Sequence, residues 1–182
     1  MKGIYGYRRI QVWLKDTYNL HLNREFHASK QNEKWVTDIT YLIFNGQRLY
    51  LSAIKDLYNN EIIAYEISRK NDLKLMLDTL KQAIKRRNVK EIFLHSERGF
   101  QYTSHQYNRL LNQYQMKASM SRKGNCWDNA CIESFLSHFK SKCFYLYSFH
   151  TADEVRFAVR KYIRFYNHQK FQKIKRHESL SI

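Results

Sequence analysis

The sequence has no proline, only five glycines and three cysteines among 182 residues. Without proline, helix ends must be set by Gly, Asn and polar capping side chains. There is no glycine-rich phosphate loop, no Ser–His–Asp elbow and no H-E-x-x-H. The cysteines, Cys126, Cys131 and Cys143, are odd in number. This excludes a complete disulfide framework and reads as reduced thiols in a cytoplasmic chain. They form no C-x-x-C pair with which His138 could build a zinc site, and His21 and His27 have no C-x-x-C downstream. No apolar run approaches the roughly 18 residues of a membrane helix, and the N-terminus lacks the pattern of a signal peptide. Low-complexity stretches are missing too, which argues against disorder. Acids are scarce: 16 Asp and Glu face 32 Lys and Arg, a net charge of +16. Such an excess calls for a polyanionic partner, nucleic acid first and anionic lipid second. The basic residues are spread along the chain, which suits a broad binding face better than a detachable tail.

What is present suffices for one domain with a real core, since 43% of the residues are hydrophobic. Residues 5–18 carry Ile10, Trp13, Leu14 and Thr17 at helical spacing. Residues 1–22 therefore read as a short helical segment and 23–34 as a polar linker. From Trp35 the period changes to that of a strand, ending at Phe44. Asn45-Gly46 signals a hairpin turn, and 48–55 and 61–68 complete an antiparallel meander. Asn71 is placed to cap a helix with Leu73, Met76, Leu77, Leu80 and Ile84 inward. A short buried strand is expected at 91–94, then a helix opened by Ser104 with Tyr107, Leu110, Leu111 and Tyr114 inward. A fifth strand follows at 115–120, and a helix from about Asp128 to Tyr145. The last helix opens with a capping box, Thr151 and Glu154, and its apolar face is Val155, Ala158, Val159, Tyr162 and Tyr166. A basic tail is expected over 169–182. A helix between a meander and a further strand implies a right-handed crossover to a parallel neighbour. The expected fold is α/β, a mixed five-stranded sheet flanked by helices, with its core over 35–168.

Three acids stand out in this framework. Asp38 lies in a strand that is apolar on both faces, where a carboxylate is costly unless paired or metal-bound; satisfaction by backbone donors or an Arg is the competing reading. Glu97 follows a buried strand, at the kind of carboxyl end where open sheets bind ligands; an ordinary surface loop is the alternative. Glu133 shares a helix face with Asn129 and Lys140, which is either a site for a metal and a phosphate or a solvated charged face. Converging carboxylates are what a pair of hard divalent cations requires.

As a set, three segments resemble the DDE transposases of insertion sequences, of the type similar to retroviral integrases. They are Trp35-Val-Thr-Asp-Ile-Thr-Tyr41, His95-Ser-Glu-Arg-Gly-Phe-Gln-Tyr-Thr-Ser104, and Ser121-Arg-Lys-Gly-Asn-Cys-Trp-Asp-Asn-Ala130 leading into Glu133. The match runs from about Asn23 to Asn167. The 35 residues between Glu97 and Glu133, and Lys140 beyond them, also fit. The resemblance implies an RNase H-like core holding two Mg²⁺ or Mn²⁺ ions on Asp38, Glu97 and Glu133. It implies cleavage of transposon DNA ends and strand transfer by a 3′-hydroxyl. Arg98, Tyr102, Arg122, Lys123, Asn129 and Lys140 are the DNA contacts it suggests, with Trp127 better placed in the core. It further implies a homo-oligomer on DNA ends and target in the nucleoid, no membrane, and a helix-turn-helix protein supplied upstream or by a fused frame. The family's second acid is Asp where this chain has Glu97, one methylene longer. The segment before the core and the ending at Ile182 read as a shortened copy. Two other functions remain open beside transposition: a catalytically impaired DNA-binding remnant, and an RNase H-type nuclease.

Overall fold

The structure is a computed structural model that describes residues 28–178 apart from 88, 90, 98 and 121–128, with side chains described as far as 169. The expected helical segment at 5–18 and Arg98, Arg122, Lys123 and Trp127 fall outside the described residues.

Three strands form the meander: β1 (Lys34–Phe44), β2 (Gln47–Asp56) and β3 (Ile62–Ser68). The β1–β2 turn is Asn45-Gly46, both at positive φ (42° and 69°). That left-handed pair is what a two-residue hairpin requires, and glycine adopts it without a Cβ penalty. Helix α1 (Leu73–Arg86) then leads to β4 (Phe93–Ser96), and α2 (His105–Gln113) to β5 (Lys117–Met120). Helix α3 (Ala130–Lys142), a 3-10 turn at Phe144–Leu146 and helix α4 (Ala152–Glu178) complete the chain. The sheet order is β3-β2-β1-β4-β5, antiparallel across the meander and parallel from β1 to β4 and β5. This is the mixed five-stranded sheet expected from the element order.

Strand alternation divides the core in two. Val36, Leu42, Leu49 and Leu51 pack against Ile132, Phe135 and Phe139 of α3 and Val155 and Val159 of α4. On the other face Trp35, Ile54 and Ile63 meet Met76 and Leu80 of α1 and Tyr107 and Leu111 of α2. Each such large apolar side chain contributes roughly 1.5–3 kcal/mol when fully buried, so both helical layers are held by the same sheet.

Polar caps end the helices, as a proline-free chain requires. Ser104 Oγ accepts from Tyr107 N–H at 3.2 Å. Thr151 and Glu154 form the capping box, Glu154 N–H donating to Thr151 Oγ1 and Thr151 N–H to Glu154 Oε2. The cap of α1 is Asp72, whose Oδ1 accepts from Leu75 N–H, and not Asn71. Helix α4 continues well past the expected end near Asn167. Asn167 itself docks on the edge strand, accepting from Ile62 N–H and donating to Ile62 O.

Candidate active site

The parallel β1–β4 ladder positions two of the acids. It runs from Lys34↔Phe93 to Thr37↔Ser96 and stops. Asp38 and Glu97 are the next residues on each strand, so they leave the ladder side by side, at strands roughly 4.8 Å apart. Asp38 continues β1 opposite Ala53 of β2, which fixes its backbone, and its Oδ1 accepts the N–H of Ile39 at 2.7 Å. Glu97 opens the turn to α2. That turn is pinned from below: Gln101 Nε2 donates to Asn71 Oδ1 at 2.8 Å, and the Tyr102 hydroxyl lies 3.5 Å from Thr37 Oγ1.

Helix α3 supplies the third acid. Asn129, completely buried, donates from Nδ2 to Thr37 O at 3.1 Å. This bond takes up the strand carbonyl at the point where β4 ends and anchors the start of α3 against β1. Glu133, in the first turn of α3, then reaches Glu97 and shares a hydrogen bond with it. Two helical turns later Lys140 brings its ammonium close enough to Asp38 for the two charges to interact.

The electrostatics confirm that the acids share one space. Burial pushes the Asp38 carboxyl up to about 7, helped by the negative charges of Glu97 and Glu133 and opposed by the Ile39 N–H and Lys140. Burial and the bond to Glu97 push Glu133 up to about 7 as well. Burial lowers the Lys140 ammonium below its ordinary range, against the pull of Asp38. The cluster thus carries more negative charge than it can hold without a proton or a cation. Its donors are all hard oxygens, the set that suits Mg²⁺ or Mn²⁺, and Asn129 Oδ1 is buried with no partner among the described residues. The residues therefore fit divalent cations by chemistry. No three His, Cys, Asp or Glu side chains among the described residues are already gathered as a metal site; Glu97 and Glu133 bond to each other instead.

Asp38, Glu97, Glu133 and Lys140 are brought together. Two expected DNA contacts are corrected by burial. Tyr102 is 3% exposed, stacked edge-on to Tyr107 in the core, and holds the Glu97 turn. Asn129 likewise has no exposed surface and serves the β1–α3 junction. Tyr41, not singled out in the sequence, is exposed three residues beyond Asp38, with Lys140 Nζ 4.6 Å from its ring centroid. Alternation assigns Tyr41 to the face opposite Asp38; only the early end of β4 lets a side chain from α3 reach both.

Residues 28–126 match the integrase core domain family, and 114–181 match a second integrase core domain description. A transposase-like protein of Haemophilus influenzae is 42% identical over 151 residues, 83% of this chain and 70% of that protein. The InsK protein of insertion sequence element IS150 in Escherichia coli K12 is 46% identical over 147 residues, covering 80% of this chain and 52% of InsK. Transposase InsF of IS3A, also from E. coli K12, is 36% identical over 143 residues, 78% of this chain and 50% of InsF. The chain thus spans about half the length of InsK and InsF. Among solved structures, the HTLV-2 integrase catalytic core domain in complex with magnesium superposes with a TM-score of 0.52 at 14% identity, over 63% of this chain and 72% of that one. A chain of the simian T-cell lymphotropic virus intasome in complex with PP2A regulatory subunit B56 gamma gives 0.55 at 13% identity, over 75% of this chain and 55% of that one. At these identities the likeness is one of fold, an RNase H-like core.

Proposed function

The chain belongs to the integrase core domain family, and from that premise we propose that it carries the DNA-cleaving and strand-transferring site of an insertion-sequence transposase, with Asp38, Glu97 and Glu133 as the metal-holding acids. The observation that carries the reading is the meeting of these acids at the end of the β1–β4 ladder, with Asp38 and Glu133 both held protonated up to about 7 by burial and by each other's company. Bound there, a pair of Mg²⁺ or Mn²⁺ ions supplies the Lewis acidity that activates an attacking oxygen and stabilises a leaving one. The chain's own residues do the rest. Asp38 interacts with both other acids, and the three carboxylates together would hold the cations. Lys140 sets a positive charge at the mouth of the cluster, where a phosphate flanking the reacting one is neutralised. The substrates are transposon ends and target DNA. The assembly is a homo-oligomer on paired ends, with end recognition supplied by an upstream helix-turn-helix protein or a fused frame.

The test uses the full chain with supercoiled DNA and with a branched oligonucleotide whose resolution reverses strand joining. Nicking and resolution should require Mg²⁺ or Mn²⁺ and should disappear in Asp38→Asn while DNA binding persists. Binding with no cation-dependent chemistry in the wild type would leave only a DNA-binding remnant. Cleavage of RNA–DNA hybrids without joining would favour a nuclease. Glu97→Asp adds a measure of reach: a carboxylate misplaced by about 1 Å costs about 10²-fold, so this variant should gain most in Mg²⁺, the ion stricter in geometry.

A further inference from the structure

Past Thr37, β1 is paired among the described residues to β2 alone. Its ladder with β2 runs on to Phe44↔Gln47, whereas that with β4 has ended. The backbone groups of odd-numbered residues point to the open side: Glu33 O accepts from Phe93 N–H, and Thr37 O from Asn129. Ile39 spends its N–H on Asp38. The next such residue is Tyr41, 54% exposed.

Two cations meet its ring. Lys140 Nζ lies 4.6 Å from the centroid and Arg48 Cζ 5.7 Å. Arg48 is steadied by the cross-strand partner of Tyr41, its Nη1 donating to the Tyr50 hydroxyl at 3.5 Å. Lys140 is also the ammonium that interacts with Asp38. One lysine side chain therefore bridges the acid cluster and an exposed aromatic ring. An exposed π ring with two positive charges set over it, one of them on the lysine that interacts with Asp38, matches one ligand class. An unpaired nucleotide can stack its base on the ring and set its phosphates against the cations. A base inside a duplex cannot, because both of its faces are already stacked.

We propose that Tyr41, with Arg48 and Lys140, forms a stacking platform for an unpaired nucleotide adjoining the scissile phosphate. This rests on the transfer reading above. Tyr41 and Arg48 position the strand and touch no reacting atom. The platform selects DNA ends whose terminal pairs are opened, and it holds the opened strand at the acids.

The test places 2-aminopurine in the unpaired arm of a forked duplex, next to the junction. The full chain is added in EDTA, so that stacking is read apart from chemistry. Wild type should quench the fluorescence, and Tyr41→Phe should quench it equally. Tyr41→Ala should abolish the quench and weaken fork binding about tenfold, with plain-duplex binding within about twofold. Arg48→Gln should weaken fork binding while the quench persists at saturation. A quench that survives Tyr41→Ala overturns the platform, as does equal weakening for fork and duplex, which would mark a plain phosphate surface. A quench that depends on Tyr41 in a protein without cation-dependent nicking would uphold the platform and sink the transfer reading. The two failures are therefore distinguishable.

Discussion

Asp38 and Glu133 keep their protons into the neutral range, well above the ordinary carboxylate values of 3.8 and 4.5. The folded chain therefore binds more protons than the unfolded one between about pH 4 and about pH 7. Linkage makes stability fall as pH rises through that window. Without divalent cations, the melting temperature should drop between about pH 4 and about pH 7. Asp38→Asn should flatten the profile, because the buried charge is gone. Mg²⁺ should raise the melting temperature more at the upper pH, where the acids are charged and free to hold it. Differential scanning calorimetry at matched ionic strength checks all three, and a wild-type profile as flat as that of Asp38→Asn would show that the acids do not strain one another. These acids could be singled out in the sequence because each sits in a short local motif. The roles of Tyr102 and Asn129 were not, because burial depends on elements distant in the chain.

Among the elements, the junction of β1 and α3 concentrates the most structure in one bond. Asn129→Ala removes the donor to a buried carbonyl and leaves Thr37 O unpaired, a loss of about 1–3 kcal/mol. Urea denaturation should show the lower midpoint, and cleavage should suffer beyond the stability loss because Glu133 loses its anchor. An unchanged midpoint would mean that α3 is held by its apolar face alone. The hairpin turn, the Ser104 cap and the Thr151–Glu154 box could all be read in advance, since each is decided within four residues. The full width of the buried face of α1 could not. Leu73, Leu77 and Ile84, expected inward with Met76 and Leu80, do pack against the core, partly buried, but the fully buried set also takes in Leu75, Thr79 and Ala83. Apolar residues lie on both sides of that stripe, and only the sheet selects among them. The boundaries of β4 slid for the same reason. Its register with Lys34–Thr37 extends the strand to Ser96, whereas local pattern favours the apolar stretch before it. The polar stretch after Asn167 read as a tail because helix propensity without an apolar face leaves little signal.

For the whole molecule, the +16 charge is the feature that composition alone conveys. Binding to duplex DNA should weaken linearly on a log–log salt plot, with a slope of about −0.9 for each phosphate neutralised. Lys140→Gln should reduce that slope by about 1 and weaken all duplex sequences evenly. Fluorescence anisotropy across a salt series measures both, and a slope near zero would place the charge away from the DNA. No described helix is long and apolar enough to cross a membrane. The Asn129–Thr37 bond, which sets Glu133 beside the strand acids, joins residues 92 apart in sequence. Synthesis delivers Asp38 early and Glu133 only after all five strands have been made. A ribosome-bound chain thus holds the basic surface before it holds the complete acid set. On the proposed reading it can touch nucleic acid during translation, whereas the acid cluster is complete only once the third helix has docked.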